Sequence, residues 1–218
     1  MNEGSTKTRI DFQKARFHIS ASKLGQCPAE SRAEIAFVGR SNAGKSSAIN
    51  TLTDQTKLAR TSKTPGRTQL LNFFSLENQY FLVDLPGFGF AQVPDKIKQN
   101  WQRELDNYLA KREPLAGLVL LTDCRHPFKE FDQLIIQWCS EAGLPLLVLL
   151  TKSDKLKAGA KKKALMDASK LLDKSEGDIT VQLFSSLKGE GVGQLKGWLN
   201  RHLDDFAANS EEIAEVND

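Results

Sequence analysis

Gly39-Arg-Ser-Asn-Ala-Gly-Lys-Ser46 has the spacing G-x-x-x-x-G-K-[ST]. Its glycines let the backbone wrap closely around an anion, and successive N–H groups then converge as a nest for phosphate oxygens. Lys45 has the charge and reach for β- and γ-phosphates, and the Ser46 hydroxyl is a hard oxygen donor suited to Mg²⁺. The eight residues Gly39, Arg40, Ser41, Asn42, Ala43, Gly44, Lys45 and Ser46 serve ATP and GTP alike. They specify a phosphate site and leave the base open.

Two later segments add what the first lacks. In Asp84-Leu85-Pro86-Gly87 a carboxylate is followed by a glycine. The carboxylate can hold magnesium through its water shell, and Gly87 frees a backbone N–H to approach a γ-phosphate. Thr151-Lys152-Ser153-Asp154 matches [NT]-K-x-D. Asp154 can accept from guanine N1–H and the exocyclic amine together, a pair adenine does not offer. A buried carboxylate left unpaired is costly, so such a site discriminates by factors of order ~10⁴. The stem of Lys152 can lie over the base. Phe184-Ser185-Ser186 can turn backbone N–H groups toward guanine O6. A second protein ligand to the metal is expected from a threonine among Thr61, Thr64 and Thr68, and spacing does not choose between them.

These segments need elements to hold them. Ile35–Val38 reads as a buried strand running into the phosphate loop, and Lys45–Thr53 as the helix whose positive end faces the phosphates. Leu70–Leu76 and Tyr80–Val83 read as hairpin strands, and Tyr80–Val83 delivers Asp84. Leu115–Leu121, Leu146–Leu150 and Val181–Phe184 read as strands. They alternate with helices at 95–111, 130–141, 161–172 and 192–203. The spacing predicts a three-layer α/β domain: a mostly parallel central sheet with one antiparallel strand and helices on both faces. Residues 1–31 read as an N-terminal arm holding at most one short strand at Phe17–Ser20. Residues 32–205 are the nucleotide domain, and 206–218 an acidic tail expected to be disordered.

Bulk composition sets the outer bounds. With 218 residues, 40% apolar and 26% charged, the chain suits one globular domain. Its longest dense apolar run falls well short of the ~20 residues of a membrane span, and the first twenty residues carry no apolar signal stretch. A cytoplasmic protein without membrane association is expected. Cys27, Cys124 and Cys139 are odd in number and widely spaced, which argues against a disulfide scaffold or zinc site. His18, His126 and His202 stand singly. Trp101, Trp138 and Trp198 fall on predicted helices and read as core.

In this order the motifs resemble the translation-factor-related GTPases. The strings GRSNAGKS, TPGRTQLLNFF and DLPGFGFA narrow the resemblance to the EngB (YihA/YsxC) family of bacterial GTPases, from about Phe17 to about Leu203. The resemblance implies a P-loop GTPase fold and Mg²⁺-dependent GTP hydrolysis. It also implies a role in large ribosomal subunit assembly, with rRNA and ribosomal proteins as partners, and a need for the protein in normal cell division and septation. Its loop motif falls on Gly66-Arg67-Thr68-Gln69, followed by Leu70, and makes Thr68 the metal ligand. Metal contacts are then Ser46 and Thr68, with Asp84 through water. Lys45, Asn42 and Thr68 are the expected catalytic residues.

One position departs from Ras-type enzymes, where a Gln beside the D-x-x-G glycine orients the attacking water. Here it is Phe88, so slow hydrolysis is expected from the isolated protein. In some GTPases similar to this pattern an Asn at the place of Asn42 helps bind K⁺, which makes K⁺ a second expected cofactor. Asn is equally a local hydrogen-bonder that can brace the loop. Nucleotide-dependent ordering of the loops 61–69 and 85–93 is expected to change the surface. Lys155, Lys157 and Lys161–Lys163 form one basic cluster. Lys96, Lys98, Arg103, Lys111 and Arg112 decorate the helix at 95–111. Both suit rRNA phosphates, with interleaved acids weakening the second. A monomer is expected. The competing reading is a GTP-regulated, protein-binding adaptor of the division machinery.

Overall fold

The computed structural model describes residues 9–59, 70–87, 103 and 105–217, without the side chains of 213–217. The strands are β1 (Arg16–Ala21), β2 (Ala33–Gly39), β3 (Leu71–Ser75), β4 (Tyr80–Asp84), β5 (Leu115–Asp123), β6 (Leu146–Thr151) and β7 (Ile179–Leu183). The helices are α1 (Lys45–Thr53), α2 (Glu130–Ala142), α3 (Ala158–Leu172) and α4 (Val192–Asn217). Residues 105–111 are also helical.

The strands form one sheet in the order β1-β3-β4-β2-β5-β6-β7. β3 pairs antiparallel with β1 and with β4, whereas β2, β4, β5, β6 and β7 pair in parallel. One strand, β3, therefore runs against the rest. Every residue of β2, β4 and β6 is buried, as expected for strands covered on both faces. Alternate strand residues feed two cores. On one face Ile35, Phe37, Leu82, Val119 and Leu149 meet α1 and α4. On the other Ala36, Val38, Val83, Leu120 and Val148 meet α2, α3 and the helical stretch at 105–111. The parallel strands point their C-terminal ends the same way, and the phosphate loop, Asp84 and Thr151–Asp154 all leave from that rim.

Both chain ends differ from expectation. Residues 206–217, expected as a disordered tail, continue α4. The apolar stripe Leu195, Leu199, Leu203 and Ala207 keeps a four-residue step past the predicted end, Phe206 packs beside it, and Glu211 pairs with Arg32. The expected N-terminal arm is built into the domain. β1 is the edge strand, Ile10, Phe12 and Ala15 are buried in the α1/α4 core, and the Ile10 N–H donates to Asn200 Oδ1 at 3.1 Å.

Leu105 and Tyr108 are buried as the helical periodicity predicts, while Ile97 and Trp101 lie outside the described residues. Arg112 is not on an exposed basic face. It turns inward to the fully buried Glu34 at the start of β2, donating to that carboxylate through Nε and Nη2 and to the Pro28 carbonyl at 2.6 Å. Tyr108 Oη donates to the same carboxylate at 2.7 Å. Trp198 is core and Trp138 is partly buried against the other core, as expected. The three cysteines are free thiols. Burial pushes the Cys139 thiol up to about 12 and is the main reason Cys27 rises to about 11. Among the described residues no helix is long and apolar enough to cross a membrane.

Candidate functional site

The phosphate loop is shaped by two glycines. Gly44 takes a left-handed backbone (φ 103°) to turn the chain into α1. Gly39 lies so close to β5 that a Cβ would meet the Leu121 carbonyl oxygen at 2.7 Å, and any larger residue would pry the loop from the sheet. Asn42 also has positive φ (63°), a conformation asparagine tolerates better than most residues. Its residue is exposed.

Lys45 and Asp84 meet directly. Lys45 Nζ lies 2.9 Å from Asp84 Oδ1, both side chains 11% exposed, so the phosphate-loop lysine and the D-x-x-G aspartate share one pocket. The Leu85 N–H donates to the Phe37 carbonyl and extends the β2–β4 ladder into the loop. A Cβ on Gly87 would sit 3.4 Å from Ser41 Cα, which places the D-x-x-G glycine against the phosphate loop. Ser46, in the first turn of α1, stands on the same rim. A serine hydroxyl and a carboxylate beside a nest of amides are hard oxygen donors that fit Mg²⁺. Gly66, Arg67, Thr68, Gln69, Thr61, Thr64 and Phe88 lie outside the described residues. Leu70 lies just before β3.

The Thr151–Asp154 segment is joined to the phosphate loop through Thr151. Thr151 Oγ1 donates to the Ala43 carbonyl at 2.7 Å, with a second contact to the Thr122 carbonyl at 3.1 Å. Lys152 has positive φ (58°), and its ammonium lies 3.1 Å from Asp123 Oδ2. Arg125 also clasps Asp123, and its hydrogen bonds are the main reason the Asp123 carboxyl is held far below the usual carboxylate range.

Asp154 and Phe184–Ser186 come together as expected. Ser185 Oγ donates to Asp154 Oδ1 at 2.6 Å, and the Ser153 N–H donates to the Phe184 carbonyl. The Ser185 bond is the first cause of a lowered Asp154 pKa. Glu190 is a residue the motifs do not reveal. Its Oε2 accepts from Ser153 Oγ and from Lys161 Nζ, tying β6, α3 and the loop before α4 together behind Asp154. Lys161 is thus engaged in the site. Lys163 is paired with Asp167, and Lys155 stands 3.6 Å from Asp154. Of the predicted cluster, Lys157 and Lys162 are exposed.

Residues 34–152 match the family described as 50S ribosome-binding GTPase. A probable GTP-binding protein EngB of Vibrio vulnificus (strain YJ016) is 51% identical over 207 residues, covering 95% of this chain and 96% of that protein. One from Salmonella paratyphi B is 48% identical over 211 residues, covering 97% and 99%. The chain belongs to the EngB family of GTP-binding proteins. A crystal structure of a probable EngB superposes with a TM-score of 0.63 over 79% of this chain and all of that one. At 24% identity it supports the fold alone. An apo elongation factor SelB from Methanococcus maripaludis gives a TM-score of 0.56 at 18% identity, over 79% of this chain and 33% of that one, again for the fold. The EngB family is one of P-loop GTPases.

Proposed function

We propose that the protein hydrolyses GTP slowly and acts as a nucleotide-dependent switch in assembly of the large ribosomal subunit, through which it is needed for normal division and septation. The observation that carries the nucleotide half is the Thr151–Ala43 hydrogen bond, which locks the base-reading and phosphate-holding segments at one spacing. Residues 39–46, 66–70, 84–87, 151–154 and 184–186 form the binding surface in this reading. Lys45, paired with Asp84 here, would reach the β/γ-phosphates, and Asp84 would then be free to hold the metal through water. Ser46 and Thr68 would hold Mg²⁺, which would supply neutralisation of the charge developing on the phosphoryl oxygens. Asp154 takes the guanine edge while Ser185 and Glu190 hold its loop.

The ribosomal half is supported by the description of the matched family, a 50S ribosome-binding GTPase. Exposed Lys157, Lys162, Arg103 and Lys111 offer cations to rRNA phosphates. The protein is expected to co-sediment with large-subunit particles in the presence of a non-hydrolysable GTP analogue and to leave them with GDP. Sedimentation that is the same with both nucleotides, or absent with both, rejects the switch. Analogue-dependent association with division proteins in place of the particles favours the adaptor reading.

Asn42 carries a separate expectation. It sits exposed on the phosphate loop with a left-handed backbone, and its amide oxygen is a donor of the kind that suits a K⁺ ion acting as a charge clamp. Turnover is expected to be several-fold faster in KCl than in NaCl at matched ionic strength, and Asn42→Ala to erase the difference. Equal rates in the two salts would leave Asn42 as a brace of the loop.

A further inference from the structure

Asp123 closes β5, and its carboxylate is engaged from two sides. Arg125 grips it bidentately: Nε donates to Oδ1 at 2.9 Å, Nη2 donates to Oδ2 at 2.7 Å, and the Arg125 N–H adds a bond to Oδ1 at 3.1 Å. A guanidinium on both oxygens fixes the plane of the carboxylate. Oδ2 keeps a second lone pair, and the Lys152 ammonium sits 3.1 Å from that oxygen. The sheet sets the meeting point. Asp123 pairs with Thr151 in the β5–β6 ladder, and the Cys124 N–H donates to the Thr151 carbonyl at 3.0 Å. Asp123 therefore ends its strand beside the residue that precedes Lys152. Lys152 leaves the strand with a left-handed backbone (φ 58°), which residues with a long side chain adopt rarely.

We propose that Asp123 is a positioning residue for guanine recognition: it holds the Lys152 ammonium so that the methylene stem of the lysine lies across one face of the base, and Arg125 aims the carboxylate. The proposal rests on Thr151–Asp154 reading guanine. Neither Asp123 nor Arg125 is among the residues assigned to the binding surface, and both act through Lys152 without touching the nucleotide. A lysine side chain loost in solvent loses rotamer freedom when a base arrives, whereas one already tied at its ammonium loses less. A fully exposed ion pair of two mobile side chains would contribute little. Here the Asp123 side chain is 20% exposed and already fixed by Arg125, so Lys152 meets an acceptor whose direction is set. The tie also engages the ammonium away from Asp154, whose carboxylate must stay open to the guanine edge.

A double-mutant cycle on the full chain, read as the dissociation constant for fluorescent GDP, tests this. Asp123→Asn keeps the shape of the side chain and removes its charge. Lys152→Met keeps an apolar stem and removes the ammonium. Each is expected to weaken binding roughly 3- to 30-fold, and the double variant to be no weaker than the worse single one. Arg125→Gln, a change at an exposed position, is expected to weaken GDP binding in the parent and to add nothing to Lys152→Met. Losses that multiply in either pair, or an Asp123→Asn variant that binds like the parent, overturn the proposal. The second readout is the guanine ring-current shift of the Lys152 ε-methylene protons in ¹³C-lysine-labelled protein. Saturating GDP is expected to move them upfield in the parent, and most of that shift to be lost in Asp123→Asn. An equal shift in both overturns the tie to Asp123 and leaves guanine reading by Thr151–Asp154 intact. No shift in the parent removes Lys152 from the base and overturns the proposal at its root.

Discussion

Asp154→Asn is expected to weaken GTP and GDP binding by about four orders of magnitude and to move preference to xanthosine nucleotides. The carboxylate is 10% exposed and held by Ser185 Oγ at 2.6 Å, so its direction is set before any base arrives. Guanine presents two donors, N1–H and the C2 amine, and a carboxylate accepts both. An asparagine accepts one and opposes its own amide to the other, leaving two donors face to face with water excluded. Xanthine carries a carbonyl at C2, which takes the amide proton and restores both bonds. Competition of GTP, XTP and ATP against labelled GDP reads the change, and an unaltered GTP affinity would remove Asp154 from base recognition. The same bond sets a pH range. Ser185 lowers the Asp154 pKa, so the charged form required for guanine is present at neutral pH and through the ordinary carboxylate range. Recognition is lost only as pH falls through the lowered value.

The motif segments were legible because each is contiguous. Gly39–Ser46, Asp84–Gly87 and Thr151–Asp154 carry their meaning within eight residues or fewer, and strand ends bring them to one rim without further instruction. The sheet followed for a related reason: fully buried strands are unbroken apolar runs, as at Leu146–Leu150. What escaped depends on pairs distant in the chain. Glu190 supports Ser153 from 37 positions away, and Asp132 reaches Thr122 only because α2 begins beside the end of β5. Ile10, Phe12 and Ala15 have no helical or strand period, so their burial could not be read before α4 was placed above them. The extension of α4 was not read because acids dominate the tail's composition, although Leu199, Leu203 and Ala207 already continued the stripe.

Glu34 is the sharpest case of a residue whose sequence context concealed its role, and it carries the largest expected stability effect. It stands just before the apolar run Ile35–Val38, and no motif assigns it a role. It is 0% exposed and is met by Arg112 and Tyr108 from the far end of the 105–111 helix. Glu34→Ala leaves the Arg112 guanidinium, 12% exposed, with only the Pro28 carbonyl, and leaves the buried Tyr108 hydroxyl without its acceptor. Breaking one side of such a pair costs about 3–5 kcal/mol. At ~2–4 °C per kcal/mol for a chain of this size, melting should fall by roughly 6–20 °C. The sign of the pair's net contribution is a different matter, because desolvating both charges offsets much of their attraction. Glu34→Met combined with Arg112→Met and Tyr108→Phe is therefore expected to regain most of the loss in urea denaturation. If the triple variant is as unstable as Glu34→Ala, the destabilisation comes from lost packing and not from orphaned polar groups. Nucleotide affinity measured well below the melting point should change little in either variant, since Glu34 sits at the end of β2 opposite the phosphate loop. The network fastens the helix after the D-x-x-G segment to the sheet while leaving the nucleotide rim to the separate bonds of Thr151, Ser185 and Glu190.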